Sequence, residues 1–302
     1  LSYGRQYADR YFTDEDQRLV TDYVHRIQAV YRAKLAKIDW LENKTRQKAI
    51  LKLDEMNLHV GKPEKWQPYI DTFDLKAPSE GGTLIDNVLS LQTQMRAYEL
   101  ELIGKPIDYA LWWGILPQVV NAYYSSSDNS INFPAGILQA PFYDKAADDS
   151  TNLGGMGMLI AHEITHSFDS SGAQYDEKGR LRNWWSWKDW QAYKKRQQAI
   201  IRYYDRYRFP DGSHEDGEQT LTENIADLGA LSCITTLAGT DREALRRMYT
   251  SYAQAWSAKM TPAKFRDLLT DVHSLSVVRV NAVLSSIDEF YDVFDVQPGD
   301  RM

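Results

Sequence analysis

In IAHEITHSFD, residues 160–169, two histidines stand four positions apart with a glutamate directly after the first. On a helix, positions i and i+4 share one face a turn apart, so His162 and His166 can each aim an imidazole nitrogen at one point. Met156, Ile160, Ile164 and Phe168 form an apolar stripe on the opposite side. The spacing therefore predicts a helix buried along that stripe, with its polar residues facing a cleft. Zinc accepts neutral imidazoles in a tetrahedral shell, and a catalytic zinc site keeps one position open for water. Glu163, beside His162 but angled away from the metal, can reach such a water. The same stretch also fits a helix whose histidines are merely solvated or hydrogen-bonded, so the rest of the chain has to supply the remaining parts of a site.

A third ligand is expected on another helix. TENIADLG places Glu223 and Asp227 at the same four-residue spacing, with Ile225 and Leu228 turned elsewhere. Glu223 can complete a shell of two histidines and one glutamate, and Asp227 can accept the free N–H of a ligand histidine and fix its tautomer. In isolation such a pair also describes an ordinary solvated helix face. The single cysteine, Cys233, excludes an intrachain disulfide and a cysteine-rich metal site. It lies in the apolar run ALSCITTLAG and reads as a buried, inert thiol. A net charge of −7 argues against nucleic acid as the main partner. No run of about eighteen apolar residues suggests a membrane-spanning helix.

The 302 residues, 43% of them hydrophobic, are enough to bury a large core. Val20, Tyr23, Val24, Ile27, Val30, Tyr31, Leu35 and Ile38 recur at helical spacing, and Thr13 with Asp16 reads as a capping box before them. Further helices are predicted over 45–56 and 84–102, the latter stopped by Gly104 and Pro106. VVNAYY and SINF flank SSSDN as two short strands of a hairpin or sheet edge. Helices resume over 154–170, 186–207, 220–236 and 241–259. One more opens at Thr261-Pro262, a cap followed by proline at the first helical position. The fold class is mainly α with a small sheet, and no repeat or clear domain boundary interrupts it.

HEITH followed by ENIAD resembles the neprilysin and endothelin-converting-enzyme family of zinc peptidases, family M13. NAYYSSSDNSINFPAGILQAPFYD, GGMGMLIAHEITHSFD, GAQYDEKGRLRNWW and DVHSLSVVRVN resemble that family's blocks in the family's order. YGRQYADRYF and DWLENKTRQKAILKL resemble its preceding helical region. The resemblance implies a thermolysin-like zincin catalytic domain over 1–302, with a helical region to residue 105 leading into a zinc-site core over 106–302. It implies one Zn2+ held by His162, His166 and Glu223, with Glu163 as catalytic base and Asp227 behind a ligand histidine. Asp169 would take a similar supporting place. His273 would donate to the developing oxyanion, and Arg279 would hold a substrate carbonyl. Asn121 and Ala122 would grip substrate backbone. Ile137, Phe142, Met158, Leu159 and Trp256 would line an apolar pocket for the residue after the scissile bond.

The implied activity is endopeptidase cleavage of short peptides on the amino side of hydrophobic residues. The rival is a peptidase-fold binding or scaffold protein without activity, although all five metal-site positions are intact. Leu275 replaces the family's proline, and Ser276 and Val277 are atypical, so the loop carrying Arg279 is expected to differ. The absence of the animal members' disulfide cysteines points to a bacterial-type member. The resemblance reaches only the C-terminal part of a family member, and the terminal tryptophan is missing. The chain is therefore expected to be a fragment or processed form, with the missing N-terminal segment, which would act as a lid, as a partner beside peptide substrates. Its loss is expected to leave apolar surface of the first long helix uncovered. An extracytoplasmic location is expected by resemblance, although some bacterial members are cytoplasmic.

Overall fold

A computed structural model gives the architecture and describes residues 2–108, 110–111, 114–297 and 299–300. Leu1 and the Arg301-Met302 end, included in the expected domain, lie outside the described residues. The chain opens with α1 (Ser2–Tyr11), α2 (Asp14–Lys37) and α3 (Asn43–Asp54), followed by strand β1 (Asn57–Gly61). Thr13 caps α2 as its sequence predicts: its hydroxyl accepts the Asp16 amide, while the Asp16 carboxylate accepts the Thr13 amide. Val20, Val24, Ile27, Tyr31 and Leu35 are all buried. The expected uncovered stripe on α2 is therefore not found, because α3 and the two helices of the metal site pack over it. Exposed apolar residues lie instead on α4 (Leu84–Glu101), where Leu84 and Ile85 are 80% and 71% exposed.

The sheet has the order β1-β3-β2. Strands β2 (Tyr123–Ser125) and β3 (Ser130–Pro134) form the expected antiparallel hairpin, with Tyr124 opposite Ile131. β1 adds to the other side of β3 in parallel, with Asn57 opposite Ser130. β3 is buried along its whole length, consistent with a central strand covered on both faces.

After the short α5 (Asp149–Asn152), residues Leu153–Gly157 make one π-helical turn that leads into α6 (Met158–His166). The glycines there are required by contact. A Cβ on Gly154 would meet the Met248 carbonyl at 2.1 Å, and one on Gly155 would meet that of Phe142 at 2.3 Å. The extra residue of the π-turn lets the chain pass this crowded point before regular helix begins. α6 is buried all round from Met158 to Thr165 rather than along one stripe. Tyr31 of α2 donates its hydroxyl to the Ala161 carbonyl of α6, satisfying a polar group inside the core. α7 (Trp187–Tyr204), α8 (Leu221–Ala238), α9 (Arg242–Ala255), α10 (Pro262–Leu268), α11 (Ser276–Leu284) and α12 (Asp288–Phe294) complete the fold. α8 carries Cys233, fully buried, and packs along α6.

Candidate metal centre and cleft

α6 and α8 bring the histidines and carboxylates of the sequence analysis together. His162 Nδ1 lies 2.8 Å from Asp227 Oδ1, and His166 Nδ1 lies 2.5 Å from Asp169 Oδ2. A carboxylate can only accept, so each Nδ1 carries the proton and each Nε2 presents a lone pair. The two Nε2 atoms face one another at 2.9 Å. Glu223 Oε2 stands 3.1 Å from one and 3.5 Å from the other. Lone pairs and a carboxylate oxygen at such separations repel unless a cation lies among them. Glu163 Oε2 and Glu223 Oε2 are both buried without a hydrogen-bond partner, although Glu223 sits so close to the imidazoles. Its oxygen is aimed at the same point as the two nitrogens, and a metal ion is what that donor set fits.

The charges point the same way. Burial opposes protonation of His166, yet the hydrogen bond to Asp169 and the nearby Glu223 carboxylate push it up to about 11. His162 is likewise raised against burial by Asp227 and Glu223. Burial also opposes ionisation of Glu223, but the two histidines hold it far below the usual carboxylate range. Four carboxylates, those of Glu163, Asp169, Glu223 and Asp227, gather at the cluster, and Arg279 pairs with Asp227 alone among them. A divalent ion supplies the missing positive charge while leaving both imidazoles neutral.

Arg279 is 5% exposed and forms a bidentate pair with Asp227, at 2.7 Å for both contacts. Its guanidinium lies 3.9 Å from the centre of the Trp256 ring. Asp227 therefore ties a ligand histidine to an arginine in the wall of the cleft. Arg279 stands in the first turn of α11 rather than on a loop, because the chain becomes helical directly after Leu275. Leu275 is buried, and its carbonyl accepts the Val278 and Arg279 amides. His273 is half exposed, with Nε2 3.2 Å from Glu223 Oε2. Asp271 accepts both its backbone N–H and its Nδ1–H, at 2.9 and 2.7 Å. Asp271 was missed by sequence reasoning, although it opens the DVHS block. Ser274 donates to Asn224 of α8 at 2.7 Å and fastens this segment beside Glu223.

A cleft of about 400 Å³ opens over the cluster, lined by Asn121, Ala122, Ile137, Phe142, Leu159 and Trp256 together with His162, Glu163, His273 and Arg279. A second lobe of about 380 Å³ continues past His166, Asp169 and Glu223. Phe142 meets Trp256 edge-on, with ring centres 6.4 Å apart. Met158, grouped with these apolar residues from the sequence, lies in the core at 1% exposure and does not line the cleft. Its neighbour Leu159 takes that place because one step along a helix turns the side chain by about a quarter circle.

Comparison with known proteins gives these features a context. Sequence models of peptidase family M13 match residues 2–63 and 121–302. The neutral endopeptidase of Lactobacillus helveticus is 35% identical over 301 residues, covering 99% of this chain and 46% of that protein. Neprilysin-3 of Drosophila melanogaster is 32% identical over 319 residues, covering 99% and 40%. The crystal structure of PEPO from Lactobacillus rhamnosis superimposes with a TM-score of 0.89 at 35% identity, over 98% of this chain and 47% of that one. A zinc metalloprotease of Mycobacterium tuberculosis, solved with an inhibitor, superimposes with a TM-score of 0.85 at 35% identity, over 98% and 47%. The chain thus spans slightly less than half the length of these relatives. The match over residues 121–302 takes in more than half of the chain and the entire histidine–carboxylate cluster, and with it this chain belongs to peptidase family M13, the zinc peptidases.

Proposed function

We propose that the chain carries the catalytic site of a zinc endopeptidase, with His162, His166 and Glu223 as ligands and Glu163 as general base. The observation that carries this reading is the convergence of two Nε2 lone pairs and Glu223 Oε2 beside a buried Glu163 oxygen without a partner. Zinc bound there supplies a Lewis acid and lowers the pKa of water towards about 7. Glu163 accepts the proton of the attacking water and passes it to the departing amine. His273 donates from Nε2 to the carbonyl oxygen as it gains negative charge, a contribution of about 3–4 kcal/mol for one such donor. Nδ1–H is already engaged by Asp271, so donation from Nε2 uses the doubly protonated ring.

Asp227 and Asp169 hold the ligand histidines in the donating tautomer. Arg279 presents a guanidinium edge to a substrate carbonyl, while Asn121 and Ala122 run beside the extended peptide. The apolar wall of Ile137, Phe142, Leu159 and Trp256 selects a hydrophobic residue after the scissile bond, so short peptides are cut on its amino side. Glu163→Gln separates chemistry from binding. Zinc should remain while peptide cleavage falls by orders of magnitude, and near-native cleavage would refute the role of Glu163. Unchanged binding with no cleavage in the native chain itself would favour a scaffold protein.

A further inference from the structure

Asp169 can orient His166 only as firmly as its own loop is held. Asp169 Oδ1 accepts the N–H groups of Ser171 and Gly172, both at 2.7 Å, while Oδ2 faces His166. The chain then turns back so tightly that a Cβ on Gly172 would lie 1.9 Å from the His166 carbonyl. Within the turn the Gly172 carbonyl accepts the Tyr175 N–H at 3.0 Å. Lys52 of α3 adds a tether from outside the turn: its Nζ donates to the carbonyls of Gly172 and Tyr175, both at 2.7 Å. The side chain is 1% exposed, an unusual place for a lysine, and the Tyr124 ring covers the amine with its centre 5.7 Å away. Asn129 grips the Lys52 carbonyl at 2.8 Å, which fixes the backbone end as well. Trp184 reinforces the far end of the turn through Tyr175 at 3.0 Å.

We propose that Lys52 is a positioning residue for the metal: it pins the turn after α6 so that Asp169 holds His166 Nδ1. The inference rests on His166 being a zinc ligand. Gly172 offers its N–H to Asp169 and, in the next peptide group, its carbonyl to Lys52, so a pull on the carbonyl is transmitted through this one residue to the N–H. Burial draws the ammonium down to about 7, against the attraction of Asp169, Asp176 and Glu177. The charged and neutral amines both carry the two N–H donors that the turn uses, so the tether does not depend on protonation.

Competition for zinc between the chain and a chelator, at fixed pH, tests this. Lys52→Met and Asp169→Asn should each weaken zinc by roughly 10–100-fold. Because they act through one another, the double variant should stay within about twofold of the weaker single one. The visible bands of the Co2+-loaded chain should move in Lys52→Met as in Asp169→Asn, since both loosen the same ligand. Should Lys52→Met fail to fold, Lys52→Gln takes its place in the same cycle. Unchanged zinc affinity in a folded Lys52 variant, losses that multiply in the double variant, or loss of folding in both Lys52 variants would each overturn the positioning role. Full zinc retention in His166→Ala would instead overturn the ligand assignment on which it stands.

Discussion

Asp227→Asn tests the most heavily committed residue of the site. The carboxylate is 1% exposed and binds the Arg279 guanidinium twice at 2.7 Å and His162 Nδ1 at 2.8 Å. Asparagine keeps the size but removes the charge, and its amide end turns an N–H towards an N–H of Arg279 or His162. The guanidinium is left buried without a counter-charge, which costs about 3–5 kcal/mol. His162 loses its orienting acceptor, which should weaken zinc by roughly 10–100-fold. Urea unfolding of the metal-free chain measures the first effect and chelator competition the second.

The two effects separate in an Arg279→Met background. There the stability cost of Asp227→Asn should fall to about 1 kcal/mol, since no orphaned cation remains, while the zinc loss persists through His162. A cost below about 1 kcal/mol in the native background, or an equal cost in both, would refute the reasoning. Acid unfolding adds an independent reading. Burial opposes ionisation of Asp227, but Arg279 and His162 carry it down to about 2 from an ordinary 3.8. This depressed carboxylate contributes stability that is fully present above pH 3.8 and is lost as pH falls through about 2. That part of the acid limb should be missing from Asp227→Asn.

Metal analysis should find most zinc lost from His162→Ala and Glu223→Ala, and full retention in both would contradict the ligand set. Mass spectrometry of products from a mixed peptide library should show cleavage on the amino side of Leu, Ile or Phe, and Phe142→Ala should broaden this towards larger residues. Dominant cleavage beside charged residues would exclude the apolar pocket. Gly155→Ala should destabilise the chain by about 1–3 kcal/mol, read by urea unfolding, because the new Cβ would lie 2.3 Å from the Phe142 carbonyl. Thr13→Ala should cost about 1 kcal/mol through loss of the α2 cap, and an unchanged midpoint would show the cap to be unimportant.

Legibility in the sequence followed the range of the interactions. α2, α6 and α8 were readable because helical spacing of apolar and polar residues is a local signal, and Thr13 and Thr261 announce their helix starts through side-chain chemistry. β1 was not readable. NLHVG is short, directly follows a helix, and becomes a strand only because β3 pairs with it from across the chain. The π-turn before α6 likewise depends on carbonyls of Phe142 and Met248, which no local pattern reveals. Within the site, the i and i+4 pairs gave the histidines and the carboxylates opposite them. The Asp227–Arg279 pair and the Asp271–His273 contact concern how distant or loop segments dock, so the sequence offered residue types without their partners. The expected bare stripe on α2 failed for the same reason: local amphipathicity shows that a face is apolar, not which helices will cover it.

The parallel pairing of β1 with β3, and the Tyr31 hydroxyl on the Ala161 carbonyl, bear on how the protein folds. The second contact closes 130 residues of sequence, and its loop entropy must be met before the ligand helix gains its packing. Contacts of this span slow folding, because a long loop must close before they form. Zinc would then be captured late, by a site whose walls are already assembled, and would not act as the nucleus of folding. A segment restricted to residues 121–302 would lack β1 and α2, which packs against α6, and should emerge from refolding as an aggregation-prone intermediate that takes up little metal.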